Sequence, residues 1–122
     1  MYFEKEKLIQ EINVLGPWVH GYFDLGNGII IEDQDELQKK RLFTLRDYFI
    51  DIIAKFYKKN EIHDKSLCDV GCNTGYFSYE LYKKFNFKQV VGVEPRIKNL
   101  EKAKFIADFF KLPKKKILAK KI

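Results

Sequence analysis

Apolar positions recur along this chain in two different rhythms, and the changes of rhythm mark its elements. Between residues 3 and 15, Leu8, Ile9, Ile12 and Leu15 fall at helical spacing, and Gly16-Pro17 stops the run. In WVHGYFDLGNGIIIE (18–32) two β-rich runs flank Leu25-Gly26-Asn27-Gly28. Asn-Gly between apolar runs predicts a hairpin, because both residues tolerate the positive φ of its tight turn. From Asp35 the sequence DELQKKRLFTLRDYFIDIIAKFYKKN reads as one long amphipathic helix over 35–59. Leu42, Leu45, Phe49, Ile52, Ile53 and Phe56 form its stripe, Asp33 or Asp35 is its N-cap, and Asn60 follows its last turn.

The second half alternates strand and helix. SLCDV (66–70) is a short apolar run, GCNTG (71–75) a turn, YFSYELYKKF (76–85) a helix and QVVGVE (89–94) a strand of the fully buried type. Arg96 to Phe110 is helical, with Ile97, Leu100, Ala103, Ile106, Ala107 and Phe110 on one side. Strand, helix, strand in so short a span implies a parallel pair joined by a right-handed crossover. Beyond Pro113, KKILAKKI fits either a third strand or a frayed end.

Composition narrows the class without changing this picture. A chain of 122 residues that is 46% hydrophobic and 16% aromatic is one domain long, with enough apolar matter for a packed core. It holds no uncharged apolar run long enough to span a bilayer, and its N-terminus MYFEKEKLIQ is too charged for a secretory signal. A cytoplasmic protein without a membrane partner is expected. Cys68 and Cys72 are its only thiols, and neither they nor His20 and His63 fall at metal-ligand spacing, so no metal is expected.

The net charge of +6 is local. Residues 111–122 carry six lysines and no acid, and the remaining 17 basic residues equal the 17 acidic ones. Such a run reads first as a solvated tail, and only second as a nucleic-acid contact.

The chemistry lies in LCDVGCNTGYF (67–77). Gly71 and Gly75 stand where a strand turns sharply into a helix, so the backbone can approach a ligand and present amides at the positive helix end. The spacing is Gly-x-x-x-Gly, with the acid Asp69 two residues ahead of the first glycine, rather than the Gly-x-Gly-x-x-Gly of dinucleotide sites. An amino-acid end suits such a turn, since amides take its carboxylate and an acid its ammonium group. Glu94 ends the next strand, 19 residues after Gly75, where an acid accepts from ribose hydroxyls. Pro95 then turns the chain away and exposes that carboxylate in the same crevice.

These residues resemble the class I S-adenosylmethionine-dependent methyltransferases. Leu67 to Gly75 looks like the first motif of that family, and Val91-Gly92-Val93-Glu94-Pro95 like the second. The resemblance implies that Asp69, Gly71, Cys72, Asn73 and Gly75, with Tyr76 and Phe77 after them, hold the methionine end of S-adenosylmethionine. It implies further that Glu94 takes the ribose, and that Pro95 and Arg96 border the adenine. Upstream, Trp18 to Gly28 is similar to a segment preceding the domain in a subset of such enzymes, among them those that modify the wobble uridine of tRNA.

The fold so implied is α/β: an incomplete Rossmann-like parallel sheet of two or three strands with an N-terminal helix-hairpin-helix extension. Residues 1–60 form the cap or support, and residues 61–122 a partial cofactor-binding domain with a lysine-rich end. The full family fold runs to about six or seven strands, so this chain reads as stopping before the segment that holds the substrate. The implied reaction is direct transfer of the sulfonium methyl to an O, N or C nucleophile on an unknown acceptor, with no catalytic residue assigned.

Two other classes compete with it. One is a non-catalytic S-adenosylmethionine-binding or regulatory module, and the other an RNA-binding fragment acting through the lysine run. His20 is a candidate base or substrate contact and Trp18, Tyr22 and Phe23 a candidate aromatic platform, each set against plain packing. Two strands would leave ladder groups on both sheet edges, so a second copy or a complementing chain is expected to complete the sheet.

Overall fold

The computed structural model describes residues 2–122. Helix α1 (Tyr2–Leu15) ends at Gly16, whose amide closes the last turn onto Ile12 and Asn13. The Asn-Gly turn forms as expected: β1 (Tyr22–Gly26) and β2 (Ile29–Glu32) pair antiparallel, with Asn27 and Gly28 at φ 53° and 77°. Helix α2 (Glu36–Phe56) starts at Asp35, whose carboxylate accepts from the Leu37 and Gln38 amides.

Helix α2 ends earlier than its periodicity suggests. Tyr57 is extended, and a separate turn of helix, α3 (Lys59–Ile62), takes in Asn60. Its Ile62 is buried in a core cluster beside Leu81, Phe85 and Val90. One buried isoleucine, worth about 1.5–3 kcal/mol, favours this break over a straight run of exposed lysines.

The α/β half follows the expected order. Strands β3 (Ser66–Val70), β4 (Gln89–Glu94) and β5 (Ile117–Lys121) form one parallel sheet in that spatial order, with α4 (Tyr76–Phe85) and α5 (Ile97–Phe109) as the crossovers. Of the two readings of the segment after Pro113, residues 117–121 take the third strand, while the six lysines of the run stay exposed to solvent. Ile117 anchors it in the core, and Lys120 and Lys121 pair beside Val93 and Glu94.

One face of the sheet carries the burial. Leu67, Val90 and Ile117 meet Leu81 and Phe85 of α4 there, with Ile50 and Ile53 of α2 outside them. On the other face Cys68, Val70 and Lys120 are exposed. A second cluster gathers Trp18, Phe23, Ile31, Leu42, Tyr76 and Ile106, so the helix-hairpin-helix segment and the α/β segment share a core.

The α2 stripe sits rotated from its sequence reading. Leu42 is buried and Ile52 and Ile53 are half-buried as expected, but Leu45, Phe49 and Phe56 remain exposed, and Phe43, Arg46 and Ile50 turn inward in their place. Arginine occupies that seam because α4 supplies polar partners: the guanidinium donates to the Tyr76 hydroxyl at 3.1 Å and lies 3.6 Å from Glu80. Among the described residues no helix is long and apolar enough to cross a membrane.

Candidate functional site

The ends of β3 and β4 lie side by side, and the turn after β3 wraps over the end of β4. Gly71 and Gly75 take φ 70° and 85°, and Asn73 between them takes 56°, so three of five turn residues are left-handed. That winding brings the Gly71 and Cys72 amides onto the Val93 carbonyl at 2.8 and 3.0 Å. The Asn73 amide donates to Glu94 Oε1 at 3.1 Å. The turn amides expected to face a ligand are thus engaged with β4. At the start of α4, where Gly75 stands as N-cap with no side-chain cap, the Ser78 amide is taken by Asp69, and the donors left for an anion are the Tyr76 and Phe77 amides.

The two glycines serve different needs. A Cβ on Gly71 would meet nothing within 4 Å, so that position fronts open space and only its φ demands glycine. A Cβ on Gly75 would lie 3.5 Å from that of Ala103, in ordinary contact with α5.

Glu94, expected to stand exposed in the crevice, is instead 4% exposed, because the turn after β3 and the start of α5 close over its carboxylate and supply it with donors. Besides Asn73, the Arg96 amide donates to Oε2 at 2.8 Å. The Asn99 side-chain amide lies 3.5 Å from the same oxygen and 3.0 Å from Asn73 Oδ1. Pro95 and Arg96 are exposed at the rim. Donors from two loops and a helix thus fix the carboxylate in one orientation.

Asp69 is placed differently. It points to the helix-covered face, where it accepts from the Ser78 hydroxyl at 2.7 Å. Burial pushes its carboxyl above the usual range, against the opposing pull of the Ser78 hydroxyl and amide. Cys72 lies beneath the turn, 3% exposed, and its thiol is pushed up to about 12 by burial and by the nearby Asp69 and Glu94 carboxylates. The depression expected of a thiol at a helix start is overridden. A Cβ on Gly92 would meet Cys72 Sγ at 2.7 Å, so Gly92 exists to admit this side chain.

Tyr76 and Phe77, expected at the cofactor, turn the other way. Tyr76 is 1% exposed in the aromatic cluster with Phe23 and Phe43, and burial pushes its hydroxyl up to about 12. Phe77 packs edge-on against Phe49. Trp18, Tyr22 and Phe23 also serve packing, with Tyr22 against Phe43 and Trp18 against Phe23 and Phe105.

The hairpin nevertheless reaches the turn. The Thr74 hydroxyl, buried, donates to the His20 carbonyl at 3.3 Å, and the His20 amide donates to Asp33 Oδ2 at 3.0 Å. Both bonds hold His20 at φ 61° while its side chain stays exposed. On the same side Lys102, buried on α5, donates to the Pro17 carbonyl. Its ammonium is pulled below the usual lysine range by burial and by Lys98.

Sequence reasoning missed Asn99, Lys102 and Ser78. Each is an ordinary helix residue by type. Asn99 alone had a positional signal, one helical turn past the Glu94-Pro95 exit.

No protein-family model matches the chain. It is 29% identical over 113 residues to the tRNA U34 carboxymethyltransferase of Helicobacter pylori strain P12, an alignment covering 93% of this chain and 38% of that protein. The chain therefore spans a little over a third of that relative's length. Among solved structures it superposes on the N-terminal domain of EvdMO1, crystallised with SAH and D-fucose, at TM-score 0.68 and 17% identity, covering 97% of this chain and 44% of that one. Magnesium protoporphyrin IX methyltransferase from Synechocystis, with bound SAH, matches at TM-score 0.57 and 15% identity over 99% of this chain and 48% of its own. The parallel β3-β4-β5 sheet, the glycine turn wrapped on Glu94 and these likenesses together give the chain the fold of class I S-adenosylmethionine-dependent methyltransferases, over part of its relatives' length.

Proposed function

We propose that this chain holds the donor in an S-adenosylmethionine-dependent methyl transfer, with its crevice formed between the Gly71–Gly75 turn and Glu94. The observation that carries the reading is Gly71: its missing Cβ opens onto empty space beside a buried carboxylate that backbone amides hold in place. When bound, S-adenosylmethionine supplies an electrophilic methyl carbon on a sulfonium sulfur.

This chain's residues bind and orient. Glu94 accepts from the ribose hydroxyls, Pro95 and Arg96 border the base, and the Tyr76 and Phe77 amides at the start of α4 face the amino-acid carboxylate. Asp69 and Cys72 support the turn from below. Rate comes from alignment and from excluded water, and the turn and Glu94 would align the sulfur with an acceptor atom opposite. Titration calorimetry with S-adenosylhomocysteine tests the reading: saturable binding at micromolar to millimolar ligand is expected, and no heat at all would end it.

A second observation bears on the acceptor. The relative named above acts on U34 of tRNA, and the β5 strand lines one sheet edge with lysines. We infer that RNA is the acceptor class and that the protein works in the cytoplasm. The transferred group, methyl or the carboxymethyl of that relative's name, is read from the mass of the modified RNA. Completion of the sheet at β3 by a second copy or a complementing chain belongs to the same proposal. Light scattering that gives a lone 14.6 kDa particle would count against the second copy.

A further inference from the structure

Glu94 and Asn73 are joined by more than the backbone amide between them. Asn99 sits in the first turn of α5, and its side-chain amide donates to Asn73 Oδ1 at 3.0 Å while standing 3.5 Å from Glu94 Oε2. With the Asn73 amide on Oε1, this closes a ring: carboxylate, turn backbone, turn side chain, helix side chain, carboxylate. Asn73 is a non-glycine residue at φ 56°, a conformation that asparagine adopts more readily than most but that still needs outside support. Asn99 supplies that support from a rigid element.

The ring also decides which lone pairs of Glu94 stay open. Each carboxylate oxygen accepts about two hydrogen bonds. Asn73 takes one place on Oε1 and the Arg96 amide one on Oε2, so the second place on Oε1 is open and that on Oε2 is held only by the long Asn99 contact. Two adjacent hydroxyls, one for each oxygen, match that arrangement. The long Asn99 contact is the weakest at Oε2 and the one a hydroxyl would displace, after which Asn99 still holds Asn73.

We propose that Asn99 is a positioning residue for the ribose diol: by tying the Asn73 turn to Glu94 it presents both carboxylate oxygens to vicinal hydroxyls. This rests on the donor-binding reading above.

The test compares two ligands, S-adenosylhomocysteine and its 2′,3′-dideoxy counterpart, by calorimetry on the full chain and on Asn99→Ala. Alanine favours helix, so α5 should persist, and circular dichroism verifies it. The expected result is a loss of about tenfold for the diol ligand and of less than about twofold for the dideoxy ligand, the scale of one charge-assisted contact. Asn99→Asp provides a second arm. An acid in the first turn suits the helix dipole, so the fold is kept, while a carboxylate now faces Glu94 and Asn73 without a donor. Its loss on the diol ligand should exceed that of alanine.

Equal losses on both ligands, or none on either, would overturn the role of Asn99 and leave the donor-binding reading standing. Absence of binding to the unmodified chain would overturn both.

Discussion

The ends of β3 and β4 each place a carboxylate beside the same turn, yet the two acids are held in opposite ways. Asp69 is bound by one serine, faces the helices and is driven up by burial. Glu94 is bound by backbone amides from both flanking loops. Amides from two separate loops aim the Glu94 carboxylate, whereas Asp69 takes all its donors from the single residue Ser78. Spacing from the glycines marks both acids, and only the partners separate the one proposed to face the ligand from the one proposed to support the turn.

Substitutions at the turn should sharpen that contrast most. Gly71→Val puts a β-branched residue at φ 70°, a conformation it does not tolerate, and its side chain into the open crevice. Binding of S-adenosylhomocysteine should vanish while circular dichroism retains most of the helix signal. Glu94→Ala removes the charged acceptor itself, and a loss of about tenfold or more is expected by calorimetry. If Asp69→Ala weakens binding more than Glu94→Ala, the assignment of roles is reversed.

Gly92→Ala forces a methyl against Cys72 and should cost about 1–3 kcal/mol in denaturant unfolding. Adding Cys72→Gly should return part of that loss, because the clash lies with the Cys72 side chain.

Asp69 predicts a pH signature. Its folded-state pKa is raised, so its contribution to stability is fully present below the unfolded value near 4 and is lost as pH rises through the folded value. Asp69→Asn, always neutral, should therefore gain in Tm relative to the parent over that window. A Tm difference that stays flat with pH would mean that the acid is solvated. The smallest effect is chemical: at pH 8 Cys68, exposed, should react with a thiol reagent while Cys72, pushed up to about 12, should not until the chain is unfolded.

Much of this was legible in the residues, for physical reasons that also explain the misses. The strand-turn-helix units read clearly because glycine placement and buried strands are local signals, and Glu94 follows from distance along the chain. The α2 face did not read correctly, since Arg46 fills a seam position and breaks the apolar count, its place being set by Tyr76 and Glu80 on α4. Tyr76 was misplaced for a related cause. It follows the motif in sequence, but the 100° advance per residue in a helix turns it from the crevice into the aromatic cluster. The β5 strand stayed open to the sequence because its lysines speak for solvent and only Ile117 speaks for the core. Whether the turn amides point outward is decided by β4, which no local pattern contains.

The contact between Thr74 and His20 has a consequence for motion. Thr74 is buried within the Gly71–Gly75 turn, and the hairpin lies over it through the His20 carbonyl, with Lys102 fastening Pro17 nearby. The turn therefore cannot open by itself. Amide exchange at Gly75, closed onto the Cys72 carbonyl, and at Asp33, closed onto that of Gly21, should report one shared opening with a single free energy, so that a ligand slowing one slows the other equally.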